Sequence, residues 1–140
     1  MIRERELLEA WHEGETGRHF YRLEAEMAAA FEYRGPQPGH PSNYAAIRIV
    51  ATPSAELCLE SAAVYPASIS EPYARRLLLA VGRAAVDEFF ALAGKHPYRC
   101  RLVVREVGWD EVMSSEVAIY RAARGALAKI RQEGTWELTR

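Results

Sequence analysis

The side chains with the widest chemical range in this sequence are four histidines and two cysteines, and their spacing argues against a reactive centre. His12, His19, His40 and His96 fall in separate parts of the chain. None stands beside a Cys or carboxylate at ligand spacing, so no metal site is expected. Cys58 and Cys100 each sit in an apolar or alternating run. Such positions read as buried free thiols rather than as a disulfide or a zinc pair. Ser114-Ser115-Glu116 offers two hydroxyls without a neighbouring base. Helix capping accounts for both serines and puts Glu116 in a first turn, where a negative charge is favourable. No Gly-x-x-x-x-Gly-Lys-Ser/Thr phosphate loop occurs. The expectation is therefore no catalytic residue, no metal and no cofactor.

Binding chemistry remains. Arg99, Arg101 and Arg105 alternate along one run, and with Arg48 on a neighbouring strand they could present a stripe to RNA. Glu24, Glu26 and Glu60 supply the competing reading, cross-strand ion pairs. Arg34, Gln37, His40 and Asn43 lie in or beside a proline-rich loop. Trp109 and Asp110 lie in a short loop, where the Trp either packs back over the sheet edge or anchors a partner. Arginines 75, 76, 83, 121 and 124 fall on helices and read as solvated faces. The net charge of -1 and pI near 6.4 lack the basic excess of a dedicated nucleic-acid binder. The 49% apolar content suits a normal soluble core. The opening Met-Ile-Arg-Glu-Arg-Glu holds no apolar signal region. No run approaches the roughly 18 apolar residues of a membrane span, so a cytoplasmic protein with no membrane partner is expected.

The elements that must position these groups follow from periodicity. Residues 2–13 form a short charged helix, with Ile2, Leu7, Leu8 and Trp11 on one face. Residues 21–34 favour helix by propensity, yet alternate from Tyr21 to Tyr33 without a miss, so a strand is predicted. Residues 35–43 are a loop stiffened by three prolines. Residues 44–52 and 56–62 are predicted as the arms of a hairpin. Residues 71–93 form a helix capped by Ser70, opened by Pro72 and stopped by Gly94, with Leu77, Val81, Ala84 and Leu92 on its apolar face. Residues 98–107 are one strand. A last helix starts at Ser114 or Ser115 and runs to about residue 132, with Val117, Ala118, Ala122, Ala126, Leu127 and Ile130 inward. Gly134 ends it, and residues 135–138 could add a strand fragment. The fold class is α+β, a two-layer sandwich. It has a mostly antiparallel or mixed four-stranded sheet, two long helices on one face in the order β-β-β-α-β-α, and a short N-terminal helix. The expected division is an N-terminal extension over residues 1–20 and one domain over residues 21–140.

This order, with the run Met113-Ser114-Ser115-Glu116-Val117-Ala118-Ile119-Tyr120-Arg121-Ala122 and the Pro-containing turn around Tyr65-Pro66, resembles the fourth domain of elongation factor G. The likeness covers about residues 24–131. It implies a fold like ribosomal protein S5 domain 2 and a translation-related role without GTP. In that family two loops at the domain tip reach the ribosomal decoding region. Their places are held here by residues 34–43 and by the loop before Ser114, where Asp110 stands in the position of a family His and Met113 in that of a family Asp. The resemblance implies the ribosome, RNA or a translation protein as partner. The charge balance favours the alternative, a protein–protein interaction domain that kept the fold and lost the RNA role. Its contacts would be the proline loop, Trp109 or the N-terminal helix. The oligomeric state is left open.

Overall fold

The computed structural model describes residues 1–14, 16, 19–36 and 42–139. The chain runs β1 (Ile2–Arg3), α1 (Glu4–Trp11), β2 (Tyr21–Leu23), β3 (Met27–Arg34), β4 (Tyr44–Thr52), β5 (Cys58–Ser61) and α2 (Glu71–Val86). A π-helical turn (Asp87–Ala91), β6 (Tyr98–Arg99), β7 (Arg101–Gly108), α3 (Glu116–Glu133) and β8 (Trp136–Leu138) follow. Among the described residues, five strands form one sheet in the order β1-β5-β7-β4-β3, and three form another, β6-β2-β8. Neighbours are antiparallel except β5 with β7 and β2 with β6.

Period-two alternation builds the centre of the larger sheet. Ala45, Ile47, Ile49 and Ala51 of β4 are buried on one face, beside Leu102 and Val104 of β7 and Leu59 of β5. On that face α3 lies over β3 and β4, and α2 lies beside α3 and over β5. The alanines of α3 permit this closeness: Ala118, Ala122 and Ala126 are fully buried. Gly125 sits so near the Phe31 ring that a Cβ would collide with it. The result is the expected α+β two-layer sandwich. Ser70 and Ser115 cap the two long helices through the backbone N–H groups of Tyr73 and Ala118, at 3.2 and 3.3 Å. Among the described residues, no helix is long and apolar enough to cross a membrane.

Several local expectations are corrected. Residues 44–52 and 56–62 are not arms of a hairpin, because β7 is inserted between β4 and β5. The two predicted long strands are each cut where the chain passes from one sheet to the other. Residues 21–34 break between β2 and β3, and residues 98–107 break at Cys100. Strands that change sheets do so at bends, which a period-two pattern does not register. The larger sheet gains a fifth strand because Ile2 pairs with Leu59 and Arg3 with Cys58.

Ile2 therefore belongs to a strand, and it shares the single core cluster with Leu7. Leu7 packs where a Cβ on Gly82 would stand, so α1 docks on α2. Trp11 remains 40% exposed. The helix predicted over residues 71–93 leaves α geometry at Asp87, where Leu92 N–H reaches back five residues to the Asp87 carbonyl. That turn shifts the helical phase, and Leu92 ends outside the core with 62% exposure. Val117, at the start of α3, is also exposed.

Candidate functional site

The two loops assigned to the tip meet. Gly35 N–H donates to the Asn43 carbonyl at 2.7 Å, closing the base of the β3–β4 connection. Asn43 and Tyr44 N–H groups both reach the Met113 carbonyl, at 3.0 and 3.2 Å. Ser114 Oγ donates to the Tyr44 carbonyl and accepts from Asp110 N–H, each at 2.8 Å. Ser42 and Ser115 share a hydrogen bond of 2.7 Å between their hydroxyls. Ser42 takes φ 74, a left-handed conformation that costs a non-glycine residue free energy and is held here by its neighbours. Of the two serines, Ser115 is the N-cap, while Ser114 fastens the second loop to β4. The tip is thus one hydrogen-bonded edge built from two distant segments.

Asp110 organises the second loop. Its carboxylate accepts from Val112 and Met113 N–H, both at 2.9 Å. The Met113 bond, then the Val112 bond, hold its pKa below the usual carboxylate range. Arg34 lies with its guanidinium 5.0 Å from the Tyr44 ring centroid and pairs with Glu32 at 2.6 Å. Gly108 leaves room for Tyr44, whose hydroxyl would stand 2.9 Å from a Cβ there. Trp109 is half-buried. It packs edge-on against Tyr73 of α2, with ring centroids 5.9 Å apart, and its indole N–H is buried without a hydrogen-bond partner among the described residues. Gln37 and His40, with the centre of the proline-rich loop, lie outside the described residues.

The arginine stripe is not assembled as expected. Arg101 pairs with Glu60 across β5 and β7, and Arg48 stands opposite Glu106 in the β4–β7 register. A register shift at Arg48/Ile49 leaves Arg105 as the extra residue of a bulge. Arg3, at the sheet edge, pairs with Glu56 at 2.6 Å. The arginines of this face are thus interleaved with glutamates, although Glu24 and Glu26, expected among the partners, lie in and beside the bend between β2 and β3. Arg99 is absent from the face. It belongs to β6, its side chain is 11% exposed, and its Nε donates to Glu4 Oε1 at 2.8 Å. Its guanidinium lies 4.6 Å from the Phe20 ring centroid and 5.6 Å from that of Phe90.

Glu4 had no signal in the sequence, yet the same oxygen also accepts from Leu57 N–H at 2.8 Å, tying the start of α1 to β5 and β6. The structure also brings together His19 and His96, with ring centroids 6.0 Å apart and Tyr21 beside His96. Cys58 and Cys100 are buried free thiols whose backbones join through Cys58 N–H and the Cys100 carbonyl. Burial raises the pKa of both.

The class is an α+β sandwich in which the described ends of two loops are joined by hydrogen bonds and one sheet face carries ion pairs. No protein-family model and no curated protein matches the chain. A crystal structure of a protein from Thermus thermophilus is similar to it, with a TM-score of 0.65 at 21% identity. The match covers 86% of this chain and 18% of that one, so this chain spans under a fifth of that protein's length. At that identity the likeness shows the fold alone.

Proposed function

We propose that this chain is a non-catalytic, translation-related binding module acting in the cytoplasm, and that its partner surface is protein rather than RNA. The observation carrying the choice of protein is the charge pattern. Glu32, Glu56 and Glu60 pair with Arg34, Arg3 and Arg101, Glu106 stands opposite Arg48, and Asp110 and Glu111 make the second tip loop acidic, which leaves Arg105 of the bulge as an isolated cation rather than part of a track. A phosphate backbone requires uncompensated cations, whereas a basic or mixed protein surface does not. The translation context rests on the resemblance to the fourth domain of elongation factor G, and the joined tip loops suit a contact surface at the same end.

Co-sedimentation of the full chain with ribosomes at low and high salt tests the reading, combined with crosslinking that separates protein from RNA adducts. Salt-sensitive association with protein adducts is expected, weakened by Glu111→Lys. Absence of salt-sensitive association overturns the translation role. Adducts to RNA alone overturn the choice of protein.

A further inference from the structure

The outer surface of the helix layer carries a groove that the tip does not use. On α2, Arg76, Leu79, Ala80 and Arg83 follow at helical spacing and face it. On α3, Val117, Tyr120 and Arg121 line the opposite wall, and Trp11 of α1 stands at its side. The groove has a volume of about 480 Å³. That is room for a few side chains rather than for a whole domain face. Its lining is largely apolar and partly wetted, with Trp11 40% and Val117 49% exposed.

The charges on its rim are uneven. Arg76 is paired with Glu116 at 2.7 Å. Arg83 and Arg121 have no carboxylate partner among the described residues. Arg83 is instead held between two rings, 5.3 Å from the Trp11 centroid and 5.4 Å from that of Tyr120. Arg121 stacks over Tyr33 and donates to its hydroxyl at 3.0 Å. Stacked on aromatic faces, Arg83 keeps its planar edge for a carboxylate, while Arg121 commits one N–H to the Tyr33 hydroxyl and offers the others; less side-chain entropy is lost when the new bond forms.

We propose that this groove binds an acidic segment of a partner protein, with an apolar side chain against the lining and carboxylates on Arg83 and Arg121. Two uncompensated cations beside a largely apolar lining fit such a segment better than a nucleic acid, whose backbone is followed by a longer track of cations. The groove begins beside the tip, at Glu116 and Val117, but its cations Arg83 and Arg121 belong to the helices and not to the tip loops, so its variants and probes test it independently of the ribosome reading.

The test is fluorescence anisotropy with the full chain. The probe is a labelled synthetic amphipathic peptide of about 15 residues, long enough to populate a helix, carrying Leu on one face flanked by Glu. Its counterpart has Gln for every Glu, and an oligouridylate is the third probe. The Glu peptide is expected to bind, and Arg83→Gln and Arg121→Gln are each expected to weaken it about tenfold. Arg22→Gln, on β2, leaves binding unchanged. In the unaltered chain the Trp11 indole N–H resonance is expected to move on titration. Equal binding of the Gln peptide, no binding of the Glu peptide at millimolar concentration, or an unmoved Trp11 resonance overturns the proposal. Oligouridylate binding lost in the same two variants also overturns it, in favour of a nucleic-acid site.

Discussion

Glu88 and Arg131 meet across the helix layer, the arginine Nε lying 3.2 Å from Glu88 Oε2. The other carboxylate oxygen takes Arg124 Nε at 2.8 Å, so one residue only 5% exposed ties the π-helical turn to two places along α3. Tyr120 extends the network, donating its hydroxyl to Asp87 and accepting from Arg124. Burial, then the Asp87 carboxylate, push the Tyr120 phenol above its ordinary pKa.

Glu88→Gln is expected to cost about 2–3 kcal/mol, less than the ~3–5 kcal/mol of a fully buried broken pair. The reduction follows from Arg124 and Arg131, which are 29% and 27% exposed and can turn toward water. Urea denaturation measures the change. A midpoint equal to that of the unaltered chain would show that the network contributes no net stability.

Trp109 gives a contrast between two substitutions. Trp109→Phe removes a buried donor that lacks a partner while keeping most of the ring packing on Tyr73. Its stability is expected within about 1 kcal/mol of the unaltered chain, on either side. Trp109→Ala is expected to cost about 3 kcal/mol through lost packing. Thermal melts of both variants separate these cases; a large loss in the Phe variant would mean the N–H is bonded after all.

Gly125→Ala tests how closely α3 and β3 are packed. Alanine favours a helix interior by about 1 kcal/mol, but here its Cβ would enter the Phe31 ring. Overpacking of this kind costs about 1–3 kcal/mol, so a net loss is expected. Adding Phe31→Leu should recover part of it, and a double-mutant cycle reads the coupling.

Asp110 predicts a pH response. Its folded pKa is depressed by the Met113 and Val112 N–H bonds. The ionised carboxylate therefore contributes to loop stability above its unfolded pKa of about 3.9, and the contribution fades as pH falls through the lower folded value. Hydrogen exchange at the Val112 and Met113 amides should quicken in that acid range. An Asp110 titration midpoint at or above the ordinary value, followed by NMR, would contradict the geometry.

Local signals in the sequence carried far. The alternation of Ala45, Ile47, Ile49 and Ala51, the Ser70 and Ser115 caps and the Gly134 stop all act where periodicity and capping placed them. Gly94 takes the left-handed φ of 79 suited to a helix exit, while Gly134 has φ -67. What local reading could not reach was pairing between distant segments. The alternation of residues 21–34 is the same whether the chain stays in one sheet or crosses to another. Nothing beside Cys58 announces that its strand pairs with Arg3 and Arg101 rather than with β4. At the candidate site, the ends of the first loop, at Gly35 and Asn43, stand where the turn residues placed them. The inward packing of Trp109 and the burial of Arg99 depended on Tyr73 and Glu4, far away in the chain.

The position of β7 also bears on how the protein is made. It lies between β5 and β4, both synthesised well before it, and neither pairs with the other. Until residues 101–108 are made, β4 has only β3 as a neighbour available and β5 only β1. The larger sheet becomes continuous only when this late strand fills the gap, and its core face is covered only once α3 follows, so chains stalled before residue 101 are expected to engage chaperones and aggregate, whereas chains that extend past Glu133 can close the sandwich.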